Sequence, residues 1–77
     1  NPFNPESNIK FSLSSKQYIK AEVFNLEGKR IKQLASGMFE AGEHQLNFDG
    51  RFVASGVYVL KMKSSNTIRS QKLYLIK

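Results

Sequence analysis

The chain has no cysteine, so neither a disulfide nor a thiolate metal site can support it. It has a single histidine, which leaves a zinc site without a second imidazole. No apolar run approaches the roughly 20 residues that a membrane-spanning helix needs. No stretch sustains the 3.6-residue period of an amphipathic helix. There is no N-x-[ST] acceptor, no D-x-D-x-D calcium loop, and no phosphate-loop spacing in "GEHQLNFDG". The chain starts at Asn1 instead of a methionine, so we expect a piece of a longer protein or a processed product. No secretory leader is visible either, and for an excised piece that says nothing about export of the parent.

What is present is enough for one domain. A chain of 77 residues removes only about 60–65% of its unfolded surface from water, so its stability is marginal. The core has to come from the 40% of hydrophobic residues, six Phe and three Tyr among them. The net charge of +6 invites an anionic partner such as nucleic acid, lipid or glycan. Yet the charges are spread singly, and the densest group, Lys29, Arg30 and Lys32, is interrupted by Ile31. A basic solvated surface accounts for that distribution better than a nucleic-acid site.

The dominant pattern has period two. Ile9, Phe11 and Leu13 alternate with polar residues, as do Ile19, Ala21 and Val23, and again His44, Leu46 and Phe48. Each reads as a half-buried strand. Phe24 breaks the alternation and is assigned to the opposite face or a sheet end. "NLEGKR" is a hairpin turn with Gly28 at the position that needs positive φ. Between Gly28 and Gly37 the spacing of Ile31 and Leu34 suits one helical turn, but the segment is short, so an irregular or bulged strand is expected. From Val57 to Met62 both alternating sets are largely apolar, which suggests a central strand covered on both faces or lying near a sheet crossing. Ile68 to Lys77 forms the last strand, with Leu73 and Leu75 on one face and Tyr74 and Ile76 on the other. Asp49-Gly50 and "KSSNT" are turns. The whole reads as one all-β domain, an antiparallel sandwich.

Little in it suggests catalysis. His44 is in phase with Leu46 and Phe48, as a partly buried structural histidine would be. The six acidic residues are scattered, several beside turn glycines. Tyr18, Phe39, Phe52, Tyr58 and Tyr74 could form an exposed platform for a polysaccharide or single-stranded nucleic acid, although a core of this size needs most of its aromatics. At the start, the prolines of "NPFNP" hold the chain extended. Asn1 and Asn4 are expected in Asx turns, with Phe3 as a plug on one end of the sandwich.

The segments "NPFNPESNIKFSL", "AEVFNLEGKRIKQL", "AGEHQLNFDG", "ASGVYVLKMK" and "KLYLIK", in this order, resemble the C-terminal sorting domain (type A) of bacterial type IX secretion substrates. A related pattern, Gly42, His44, Asp49, Gly50, Ser55, Gly56 and Tyr58, resembles the immunoglobulin-like domain of the flagellar hook-capping protein. The resemblance covers essentially the whole chain. It implies an immunoglobulin-like antiparallel β-sandwich of about seven strands, the C-terminal domain of a larger exported protein, without cofactor or catalysis. The implied partners are the type IX machinery, a sortase-like peptidase, and anionic lipopolysaccharide to which cargo is joined. The implied route is through the periplasm to the cell surface or exterior. Carried over by position, the recognition elements are Gly56, Val57, Tyr58 and Val59, with Lys72, Leu73, Tyr74, Leu75, Ile76 and Lys77. Ala21 and Phe24 depart from the pattern, where a larger aliphatic and a tyrosine are usual, and Ala21 would thin the core. The alternative is an accessory immunoglobulin-like module on an extracellular enzyme, either a spacer or a binding module that grips carbohydrate.

Overall fold

The computed structural model describes residues 6–51, 53–65 and 67–75. The expectations for Asn1, Phe3, Asn4 and Phe52, and for Ile76 and Lys77, lie outside those residues. Six strands form: β1 (Glu6–Leu13), β2 (Gln17–Asn25), β3 (Arg30–Phe39), β4 (Gly42–Asp49), β5 (Gly56–Lys63) and β6 (Ile68–Leu75). All but β3, the bulged segment after Gly28, are stretches that the period-two pattern marks. The seventh strand implied by the resemblance is not found among the described residues. The connection from β4 to β5 is spent in turns instead. Val53 N–H donates to the Gly50 carbonyl at 3.2 Å, and Asp49 Oδ1 accepts the Arg51 N–H at 3.0 Å.

All pairing is antiparallel, in two sheets: β1-β4, and a four-stranded sheet in the order β3-β2-β5-β6. Their inner faces share one core. Ile9 and Phe48 from the small sheet meet Ala21, Val23, Tyr58, Leu60, Leu73 and Leu75 from the large one. The molecule's shortest dimension, 16 Å, suits two sheets about 10 Å apart and leaves no room for a third layer.

The β2–β3 hairpin is made as its sequence requires. Gly28 turns at φ +90, and Asn25 Oδ1 accepts the Glu27 and Lys29 amides, each at 2.9 Å. The β3 register slips twice against β2, between Ala21 and Glu22 and between Val23 and Phe24. Those bulges let Ile31, Leu34 and Ala35 all pack on the core, which explains their helix-like spacing inside a strand.

One expectation is corrected. Strand β5 is central, between β2 and β6, but it is covered on one face only. Tyr58 and Leu60 point into the core, while Val57 and Val59 lie half-buried on the outer face. That outer apolar set is shielded sideways by Phe24, which pairs with Val59, and by the Lys61 ammonium 5.1 Å from the Phe24 ring centroid. Neighbours within the sheet thus do part of what a second layer would do.

Candidate functional site

The two segments singled out as recognition elements, far apart in sequence, lie side by side. Gly56 pairs with Leu75, Val57 with Tyr74, Tyr58 with Leu73, and Val59 with Lys72. Alternation then divides them. Tyr58, Leu73 and Leu75 are buried at 7%, 5% and 2% exposure and are core residues. Val57, Val59, Lys72 and Tyr74 share the outer face, with Tyr74 66% exposed. The Tyr58 hydroxyl donates to the Ala54 carbonyl at 2.6 Å, tying the loop before β5 to the strand. Among the described residues strand β6 ends the sheet order and pairs with β5 alone. In an antiparallel pair alternate residues bond the neighbour, so the remaining N–H and C=O groups of β6 face out of the sheet.

Around these residues the outer face is basic. Reading across it from β3 to β6, Phe24, Val59 and Lys72 form one row, with Arg30 beside Phe24. Gln33, Glu22, Lys61 and Ser70 form the next, and Ser36, Lys20, Lys63 and Ile68 the one after. Met38 and Tyr18 close that end, and the Tyr18 hydroxyl is hydrogen-bonded to Ser36 Oγ. Glu22 is the one carboxylate in the array and is only 8% exposed. Arg30 reaches it at 3.0 Å and Lys20 at 3.9 Å. The hydrogen bond from Arg30, helped by the charges of Lys20, Arg30 and Lys63, outweighs desolvation and holds the Glu22 carboxyl below the usual range. A parallel case lies at the end of β4, where Arg51 forks onto both oxygens of Asp49 and lowers its pKa.

This basic array was not apparent from the spacing of charges along the chain. The signal that locates it is the strand phase: Lys20 and Glu22 alternate with the buried Ile19, Ala21 and Val23, and Lys61 and Lys63 with Leu60 and Met62.

The remaining candidates do not assemble into a site. His44 is half-buried, stacked on Phe11 (centroids 5.4 Å apart) and met edge-on by Phe39 at 5.0 Å. Its Nε2–H donates to the Glu40 carbonyl at 2.7 Å. Its ring contacts and hydrogen bond are those of a packing residue. The described members of the aromatic platform are not brought together: Tyr58 is in the core, Phe39 packs on Phe11 and His44, and Tyr18 and Tyr74 project from the outer face. Among the described residues no three His, Cys, Asp or Glu side chains converge as metal ligands, and no helix is long and apolar enough to cross a membrane. A cleft of about 320 Å³ between β1 and the β5–β6 ladder is lined by Ile9, Phe11, Leu60, Met62, Arg69 and Gln71 among others, with neither a carboxylate nor a histidine.

Comparison with curated proteins and with solved structures gives no match. Among protein families, the one described as "Secretion system C-terminal sorting domain" matches residues 1–77.

Proposed function

The chain belongs to the family of secretion system C-terminal sorting domains, and from that premise we propose which of its surfaces carries the address. The domain is a C-terminal sorting signal for type IX secretion cargo, a role that involves no catalysis. It implies delivery to the cell surface or the exterior. The surface read by the translocon is the outward side and free edge of the β5–β6 ladder. One observation carries this reading: Gly56–Val59 and Lys72–Leu75 are paired residue for residue at the sheet edge.

Within the ladder the roles divide by face. Val57, Val59, Lys72 and Tyr74 present side chains to a partner. Tyr58, Leu73 and Leu75 hold the ladder on the core. The unpaired backbone of β6 offers itself for strand addition, in which main-chain hydrogen bonds give affinity and alternate side chains give specificity. Ile76 and Lys77 belong to the proposed address by sequence alone.

The finer parts of the reading rest on the family resemblance. They are passage through the periplasm, removal of the domain by a sortase-like peptidase, and attachment of the cargo to anionic lipopolysaccharide. Descent from an immunoglobulin-like fold shared with the hook-capping protein is supported by the run from Gly42 to Tyr58 and by the two-layer antiparallel arrangement.

The test is export of a reporter fused ahead of this chain, in a bacterium that possesses the type IX system. Val57→Ser, Lys72→Glu and Tyr74→Ala, all outside the core, should together reduce secretion sharply while the domain still melts cooperatively. Full export of that folded triple variant would overturn the assignment of this face.

A further inference from the structure

The exposed large apolar side chains among the described residues are Tyr18, Leu26, Met38, Ile68 and Tyr74. Leu26 sits in the β2–β3 turn. The other four all stand on the outer face of the four-stranded sheet, by the register of the three ladders. They are 46%, 59%, 65% and 66% exposed. Single exposed apolar residues are ordinary on a surface, but here four of them share one face and stand among its cations.

Their placement relative to charge narrows what the face contacts. Tyr18, Met38 and Ile68 flank Lys20 and Lys63 at one end of the face. Tyr74, with the half-buried Phe24, Val57 and Val59, flanks Lys72 and Arg30 at the other. Lys61 lies between. The single carboxylate, Glu22, is already bonded to Arg30 and approached by Lys20. The opposite side of the molecule is close to charge balance. The outward residues of β1 and β4 include Glu6, Glu43 and Asp49 against Lys10, and Asp49 is already paired with Arg51. Two copies meeting through the basic face would set five cations against five, so a second copy is the wrong occupant.

We propose that the outer face of the four-stranded sheet docks on an anionic lipid bilayer. Lys20, Lys61, Lys63, Lys72 and Arg30 meet headgroup phosphates, and Tyr18, Met38, Ile68 and Tyr74 enter the boundary between headgroups and acyl chains. The chemistry of the apolar set favours lipid over glycan or an acidic protein. Met38 and Ile68 have no polar tip with which to bond a sugar, and they stand at the corners of the face instead of forming a packed centre. Tyrosine is at home at headgroup level, and long cationic side chains carry apolar stems with a charged end, the two features of interfacial binding. The uneven distribution of charge between the two faces turns the basic side toward an anionic surface before contact. This inference goes beyond the sorting role and does not rest on it.

Co-sedimentation of the chain with vesicles tests it. Binding is expected to vesicles of phosphatidylcholine mixed with phosphatidylglycerol, and not to phosphatidylcholine alone. Each basic residue near an anionic surface contributes measurably, so Lys20→Glu with Lys63→Glu should weaken binding by roughly tenfold or more. Ile68→Ser with Met38→Ser should weaken it at constant charge. Lys10→Glu, on the opposite face, should leave it unchanged, and each variant's melting curve shows that it is folded. Equal binding to both vesicle types overturns the proposal, as does indifference of the folded variants to charge reversal. Insensitivity to Ile68→Ser with Met38→Ser, together with full competition by soluble polyglutamate, would mark a generic polyanion or acidic-protein site and overturn it as well.

Discussion

At the residue scale, stability rests on a few large side chains in a small core. Phe48 is 1% exposed and meets Tyr58 across the two sheets, ring centroids 6.3 Å apart. Phe48→Ala should cost about 3–5 kcal/mol. That is a large part of the 5–15 kcal/mol typical of a whole domain, so urea denaturation should find the variant's midpoint shifted to much lower urea. Tyr58→Phe keeps the ring and removes only the bond to Ala54, so a loss of about 0.5–1.5 kcal/mol is expected in the same measurement. Acid should act through Glu22 and Asp49. Both carboxyls are held below their ordinary values by arginine, so they bind protons less readily folded than unfolded. Their contribution is complete above the ordinary carboxylate range and is lost as pH falls through the lowered values. Melting followed from pH 7 downward should show stability falling in that acid window, and Glu22→Gln should flatten part of the fall. A pH-independent melting temperature there would contradict the pairing.

At the element scale, the six strands differ in how firmly they are held. Strands β2 and β5 have a neighbour on each side, whereas β6 and β3 have one. Opening free energies follow such differences. Hydrogen exchange should therefore find β6 amides exchanging faster than those of β5, the order needed if β6 is the strand a partner pairs with. Equal protection would argue against an address read by strand addition. The β2–β3 hairpin depends on one conformational exception. A Cβ on Gly28 would meet nothing within 4 Å, yet its backbone turns at φ +90. The cost of Gly28→Ala is then purely conformational, about 1–2 kcal/mol, measurable by thermal melting. Most element identities were legible because every strand but β3 announces itself in a short window of alternating residues. Irregularity in β3 was legible from the shortness of the segment between Gly28 and Gly37, whereas the spacing of Ile31 and Leu34 pointed toward a helical turn. The uncovered outer face of β5 was not legible. Val57 and Val59 look like core residues in sequence, since lateral shielding by Phe24 and Lys61 comes from pairing with a distant strand.

At the scale of the molecule, topology sets the folding behaviour. Glu6 pairs with Asp49 and β2 with β5, so the defining contacts close long loops, and refolding in milliseconds to seconds is expected by stopped-flow fluorescence of the tyrosines. The sequence by itself determined the all-β class, the strand positions, the turns at Gly28 and Asp49, and a packing role for His44. These are decided by neighbours a few residues apart, where period, φ and local hydrogen bonds act. It also carried the family resemblance, because ordered motifs are a property of sequence. Only the tertiary structure decided strand order, the edge position of β6, and which members of the address are exposed and which are core. It also gathered lysines spread singly along the chain onto one face with Tyr18, Met38, Ile68 and Tyr74. Those outcomes depend on which strands pair and in what register. That choice is made by burying all the inward-facing side chains in a single shared core.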